Sequence, residues 1–213
     1  MIELLNVKKI YGDRTVLDIP KLSFFEGEAV ALAGMNGSGK TTLLRIMANV
    51  LKPDSGSVTA PDNILYLPQK PYAFRGSVIE NILIGAKAQK EKAQELLFKA
   101  GLSALSDKPA KSLSGGEWQK AALCRILIRP CKLLLLDEPT AALDAKGTEL
   151  VSGILKEYKE NTGCTLIFST HSPSLALSAA DRLILLRDGK TEADGKIRKD
   201  VDKPETEWEN LFL

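Results

Sequence analysis

Two stretches of the chain carry residue types suited to phosphate chemistry. Residues 34–41 read GMNGSGKT, which fits the phosphate loop G-x-x-x-x-G-K-[ST]. The glycines let backbone N–H groups along Asn36, Gly37, Ser38 and Gly39 close around phosphate oxygens, and the positive end of a following helix faces the anion. In this pattern Lys40 reaches the β- and γ-phosphates and Thr41 supplies a hydroxyl to Mg2+, with Thr42 beside them in the first helical turn. Residues 133–138 read LLLLDE, so a buried strand delivers two carboxylates to its end. Asp137 then holds the metal, and Glu138 aligns or deprotonates an attacking water, which favours hydrolysis over transfer to a second substrate. On its own, a leucine run ending in Asp-Glu is equally an ordinary strand end.

The single histidine, His171, follows another apolar run in IFSTHSPS. Ligands in open α/β sheets gather at the carboxyl ends of the strands. His171 is therefore expected on the same edge as Lys40 and Glu138, within reach of the γ-phosphate or the attacking water. Ser172-Pro173 opens the next helix as cap and first helical residue, which orients the imidazole. A further stretch, LSGGE, begins with Ser114 and Glu117 spaced as a capping box. Gly115 and Gly116 in a first helical turn each cost up to ~1 kcal/mol relative to alanine. That cost makes sense where something must approach the backbone closely, and a phosphate would do so.

Elements that position these residues are readable from the period of the apolar pattern. IELLNV, TVLDIPKLSFF and AVALAG read as strands, and KTTLLRIMANVL reads as a helix with Leu43, Leu44, Met47 and Val50/Leu51 on one face, ended by KPDSG. Short strands are expected around SVTA and NILYLP. From Lys70 to about Pro130 the pattern becomes helical, with SVIENILIGAKA, QKEKAQELLFKAGL and EWQKAALCRILIR as amphipathic segments. Strand and helix then alternate: CKLLLLD, AKGTELVSGILKEYKE, CTLIFST, SPSLALSAA and RLILLR, before an Asp188-Gly189 hairpin turn into KTEAD. Near-continuous apolar strands imply a parallel sheet covered by helices on both faces. Trp208, Leu211 and Phe212 in the charged tail are expected to dock a short helix.

Composition narrows the class. The chain has 213 residues, 44% hydrophobic and 26% charged, which fits one globular folding unit with an insertion. Twenty-nine Lys and Arg against 27 Asp and Glu leave a net charge of +2, so no nucleic-acid partner is expected. No apolar stretch approaches the ~20 residues that cross a bilayer, and MIELLNVKK lacks a secretion-signal core, so the cytoplasm is the expected location. Cys124, Cys131 and Cys164 read as buried thiols of a reducing compartment.

Taken together, the phosphate loop, LSGG, the Asp-Glu strand end and the downstream histidine resemble the nucleotide-binding subunit of ATP-binding cassette (ABC) transporters, over about residues 1–195. The resemblance implies a P-loop NTPase fold of the α/β class: a mostly parallel sheet sandwiched by helices, with a small antiparallel β subdomain and an inserted helical lobe. It implies one domain over 1–213, with a core of 1–69 and 131–213 and the lobe at 70–130. ATP and Mg2+ are the implied cofactors. On this resemblance Tyr11 stacks on adenine with Val16 beside the ribose, and Gln69 joins core to lobe and reaches Mg2+ and water. Asp144 looks like the loop acid that crosses to a partner subunit, or else simply the cap of the next helix. Ser114, Gly115 and Gly116 would hold the γ-phosphate of ATP bound to a second copy, in a head-to-tail homodimer with two ATP molecules at its interface. An integral membrane permease is the other implied partner, keeping the chain peripheral on the inner face of the membrane. A helix of that permease would lie in a groove lined by Tyr72, Phe74 and Val78, unless those residues are core of the lobe. The short segment between Lys40 and Gln69 suggests a trimmed antiparallel subdomain. The implied role is a prokaryotic importer, with QKPYAFRGSVIENI hinting at an inorganic ion. An exporter or lipid-extraction subunit and a non-transport ABC ATPase are the alternatives.

Overall fold

The computed structural model describes residues 1–197, so the aromatic tail residues Trp208 and Phe212, with Leu211, lie outside the described part. Strands β1 (Ile2–Tyr11) and β2 (Arg14–Phe24) form an antiparallel hairpin, and β4 (Ser55–Thr59) adds to β1 to give a three-stranded sheet. A second sheet has six strands in the order β5-β6-β7-β3-β8-β9, comprising β5 (Ile64–Leu67), β6 (Leu133–Asp137), β7 (Thr165–Ser169), β3 (Ala29–Ala33), β8 (Arg182–Arg187) and β9 (Lys190–Lys196). All its pairings are parallel except β8 with β9, which is the expected hairpin. Between Lys40 and Gln69, β4 does extend the antiparallel sheet, whereas β5 instead pairs in parallel with β6.

Side-chain alternation splits the core into two layers, because successive residues of a strand point to opposite faces. Leu134 and Leu136 of β6 and Ala29, Ala31 and Ala33 of β3 join one cluster, which includes the helices α2 (Val78–Ile82), α3 (Lys90–Lys99), α4 (Gly115–Leu127), α5 (Ala145–Thr162) and α6 (Pro173–Ala179). Leu133, Leu135, Val30 and Leu32 join the other, against α1 (Lys40–Met47) and the antiparallel sheet. Every residue of β3, β6 and β7 is buried, which accounts for the unbroken apolar runs.

Three local expectations need correction. Helix α1 stops at Met47 with Ala48 as its cap, since Asn49 takes a left-handed conformation (φ 56°) that a helix cannot continue through. Val50 therefore lies beyond the helix and is 65% exposed. SVIENILIGAKA is helical only over Val78–Ile82, because Gly85 (φ 73°) turns the chain soon after. Val78 is fully buried in the core and cannot line a surface groove, although Tyr72 and Phe74 are exposed. These two rings meet edge-on, Arg125 packs over Phe74 and Trp118, and Trp118 Nε1 donates to Pro71 O at 2.8 Å.

The β8–β9 turn reaches back to brace the phosphate loop. Gly189 N donates to Ser38 O at 3.1 Å, and Gly189 O accepts from Asp18 N at 2.8 Å. Gly189 sits at φ 76°, and a Cβ there would fall 2.5 Å from Val16 O. Gly189→Ala is expected to lower unfolding free energy by about 1–3 kcal/mol, from strain plus backbone displacement. Chemical denaturation of wild type and variant checks this, and coincident curves would contradict it.

Candidate functional site

Strands β6, β7 and β3 are neighbours in the sheet and run in parallel, so their carboxyl ends lie side by side. The loop after β3 is made possible by glycine: Gly34 (φ 140°), Gly37 (φ 82°) and Gly39 (φ 105°) all occupy conformations that a side chain disfavours. Gly34 is further constrained, since a Cβ there would lie 2.2 Å from Leu186 O. Gly39 caps α1, and Lys40 folds back over the loop, donating to Gly34 O at 2.6 Å and Met35 O at 3.1 Å.

Register decides which groups meet at the edge. Asp137, the last residue of β6, pairs with Ser169, the last of β7. Asp137 is 1% exposed and its Oδ1 accepts from Thr41 Oγ1 at 3.0 Å and from Ser169 Oγ at 2.8 Å. Its Oδ2 lies 3.4 Å from the Tyr66 hydroxyl. Ser169 also accepts from Glu138 N at 2.9 Å, which holds Glu138 in a left-handed conformation (φ 52°). That strain persists because the surrounding bonds over-determine it.

The Glu138 side chain is buried, and its Oε1 makes no hydrogen bond of good geometry, although His171 Nε2 stands 3.2 Å away. Burial pushes the Glu138 carboxyl above the usual carboxylate range; His171 and Lys40 pull it down and Asp137 pushes it further up. Burial likewise lowers the Lys40 ammonium, against the opposing pull of Glu138 and Asp137. His171 is exposed at the start of α6, where Ser172 caps by accepting from Leu175 N and Pro173 takes the first helical position.

One open cleft of about 240 Å³ collects Val16, Asn36, Gly37, Ser38, Gly39, Lys40, Thr41, Thr42, Gln69, Glu138 and His171. Thus the loop residues, Gln69, Glu138 and His171, expected separately from sequence, are brought together. Tyr11, Asp137, Asp144, Ser114, Gly115 and Gly116 do not line it, Asp137 lying buried beneath Thr41. Tyr11 is half-exposed at the end of β1, with Lys9 Nζ 5.5 Å from its ring. Asp144 caps α5, accepting from Gly147 N at 2.7 Å. Ser114 caps α4 in a capping box with Glu117, as its spacing implied. Gly116 has a reason inside the chain, since a Cβ there would lie 2.7 Å from Ala142 O. Gly115 has none, and its nearest neighbour would be Ala142 Cβ at 3.9 Å.

A family model for ABC transporters matches residues 17–141. The chain belongs to the ABC transporter family. It is 34% identical to the spermidine/putrescine import ATP-binding protein PotA of Haemophilus influenzae, across all of this chain and 61% of that protein. It is 35% identical to the sulfate/thiosulfate import ATP-binding protein CysA of Pectobacterium atrosepticum, across all of this chain and 71% of that protein. The chain thus spans about three-fifths to two-thirds of the length of the PotA proteins it matches. A dimeric post-hydrolysis state of the ATP-binding cassette MJ0796 bound to ADP and Pi superposes with a TM-score of 0.85 at 30% identity, over 93% of this chain and 99% of that one. A nucleotide-free cassette superposes with a TM-score of 0.81 at 25% identity, over 99% and 94%.

Two buried groups of this ABC cassette were not legible in the motifs. Ser169, which ties Asp137 to the Glu138 backbone, is a polar residue ending the apolar run of β7 and carries no spacing signal. Gln119 of α4 is buried, with its side-chain amide 3.5 Å from Glu138 O.

The raised Glu138 pKa has a stability consequence. A carboxyl that titrates higher in the folded state favours folding below its unfolded pKa, and that contribution is lost as pH rises through the folded value. Above its folded-state pKa the ionised Glu138 therefore opposes folding of the nucleotide-free chain. Glu138→Gln is expected to raise its melting temperature at pH 8, by a margin that shrinks toward pH 5. A margin that stays constant or widens as pH falls would contradict the assignment.

Proposed function

We propose that this chain is the ATP-binding and ATP-hydrolysing subunit of an ABC importer, acting as a head-to-tail homodimer docked on a separate membrane permease. The observation that carries the reading is a buried carboxylate oxygen, Glu138 Oε1, that makes no hydrogen bond of good geometry and stands 3.2 Å from His171 Nε2 in the cleft of the phosphate loop. A buried acceptor with no well-formed hydrogen bond in that place fits a water to be activated.

The assignments follow from the cleft. Backbone N–H groups of residues 36–42 hold the phosphates, Lys40 neutralises the β- and γ-phosphates, and Val16 flanks the ribose. Tyr11, exposed outside the cleft, is assigned to the adenine by the family resemblance. Thr41 Oγ1 would hold Mg2+, with Asp137 and Gln69 reaching it directly or through water, and the ion would supply charge neutralisation at the phosphates. The donor set fits: hydroxyl, carboxylate and amide oxygens suit a hard cation. Among the described residues no cluster of three His, Cys, Asp or Glu side chains provides a protein-only cage. Such sparse protein ligation matches an ion carried mainly by substrate phosphates. Glu138 takes a proton from the attacking water, and His171, 3.2 Å from it, contacts the water or the γ-phosphate.

Ser114, Gly115 and Gly116 stand outside the cleft of their own chain. Their exposed helix start therefore serves the γ-phosphate on a second copy, with Asp144 near that interface. Gly115, which nothing in its own chain crowds, fits this role better than Gly116. Each ATP then bridges two subunits, and hydrolysis loosens them. The chain is read as one domain over 1–213, with a lobe at 70–130 that passes this motion from Gln69 to the permease. Tyr72 and Phe74, exposed beside Arg125, are the docking residues in this reading. No described helix is long and apolar enough to cross a membrane. Attachment to the inner face of the membrane is accordingly assigned to the permease. The names of the relatives favour import of a small charged solute over export.

Glu138→Gln should retain ATP and dimerise while hydrolysis falls by about 10² or more. Phosphate release and size-exclusion with saturating Mg-ATP check both, and a strictly monomeric variant or near-normal turnover would sink the scheme. In wild type, kcat should fall with acidification through a pKa above the ordinary carboxyl value of 4.5, because Glu138 must be ionised to accept the proton. Bound phosphates push that pKa further the same way. A profile flat down to the ordinary carboxylate range would remove Glu138 from the role of base.

A further inference from the structure

Arg14 opens β2, two residues before Val16, so both side chains lie on the same face of that strand. Val16 lines the nucleotide cleft. Arg14 lines a second depression, of about 450 Å³, on the other side of the phosphate loop, and Asn36, Gly37 and Ser38 line both. The loop is thus a thin ridge between the two. Arg14 Nη2 stands over that ridge, 3.9 Å from where a Cβ of Gly37 would be, and Gly37 has none to block it.

The charge of Arg14 is unanswered. Among the described residues it has no hydrogen-bond or ion-pair partner. Arg187, which shares the depression, is tied to Glu192 at 2.6 Å, and Arg182 is tied to both Glu28 and Asp194. Ser38 Oγ, buried in the ridge, also lacks a partner. A free guanidinium and an orphaned hydroxyl beside a row of backbone N–H groups describe a place where an anion is still to be added. A guanidinium fork matches phosphate oxygens in a bidentate way that an ammonium cannot.

We propose that Arg14 is a nucleotide-binding residue: its guanidinium closes over the ridge at Gly37 onto the phosphate chain, from the side opposite the Asp137–Glu138 edge. This rests on the ATP-binding reading above and adds to it a contact outside the phosphate-loop motif. Arg14 is exposed and starts a strand, so its side chain can move the short distance required without disturbing the core.

Calorimetric titration of the full chain with ATP and with ADP, in EDTA so that turnover does not deplete the ligand, tests this. Arg14→Ala is expected to weaken both nucleotides about tenfold or more, the loss of a charge-assisted contact. Arg14→Lys should recover only part of that, and the nucleotide-free melting temperature should not move. Lys40→Ala marks the floor of the assay. Unchanged ATP affinity in Arg14→Ala overturns the proposal, including the case where nucleotide binds normally but ATP-dependent dimerisation is lost, which would place Arg14 at the subunit interface instead. A wild-type chain that binds neither nucleotide would overturn the ATP-binding reading itself, a distinct result.

Discussion

Ionisable groups at the end of a parallel sheet must be held apart from water and yet remain satisfied, and the rest of this structure is arranged around that demand. Asp137 meets it through hydroxyls: Thr41 and Ser169 both donate to one oxygen of a carboxylate with almost no solvent exposure. Lys40 meets it by curling onto the carbonyls of its own loop. Glu138, held in a strained backbone by the same serine that serves Asp137, keeps a buried oxygen with no well-formed hydrogen bond, His171 Nε2 standing 3.2 Å away. Buried polar groups are normally paired, so one left open in the middle of a satisfied network marks where a ligand belongs.

Everything that positions this network is apolar packing or backbone bonding. Alternating residues of β3 and β6 commit each face of the sheet to a separate layer, so a one-residue slip of β3 would exchange its small alanine face with its Val30–Leu32 face and mispack both layers. That rigidity sets Asp137 opposite Ser169. The phosphate loop is braced from behind by the β8–β9 turn through Gly189, and α1 is wedged between the two sheets. On the far side, α4 connects the LSGGE helix start to the chemistry through buried Gln119, whose amide approaches the Glu138 carbonyl. Gln119 lies in the second turn of that helix, so the Glu138 backbone and the helix start that faces the proposed partner are joined by a short, buried path.

The motifs and the buried strands were legible because each is a local requirement. A loop that wraps phosphate needs glycine at fixed offsets, a strand covered on both faces needs an unbroken apolar run, and the Ser114–Glu117 box forms within four residues. Less was legible where the outcome depends on a distant neighbour. Val78 reads as a surface aromatic's companion until α4 packs over it, and the end of α1 is set by the left-handed Asn49, which has no proline or glycine to announce it. Gly116 needs glycine for a reason no spacing announces, since Ala142, in the loop that follows Glu138, leaves no room for a Cβ there.

By itself the sequence determined the chemical vocabulary and the order of elements: a phosphate loop, two strand-end carboxylates, one histidine and a parallel sheet to carry them. Local backbone preference and side-chain period settle those features without reference to the rest of the chain. Only tertiary structure decided that Ser169 ties the carboxylates together, that Glu138 Oε1 is buried without a well-formed hydrogen bond, and that Ser114 and Gly115 stand outside their own cleft. Strand order and register bring residues more than thirty positions apart within hydrogen-bond distance, and no spacing along the chain encodes such a meeting.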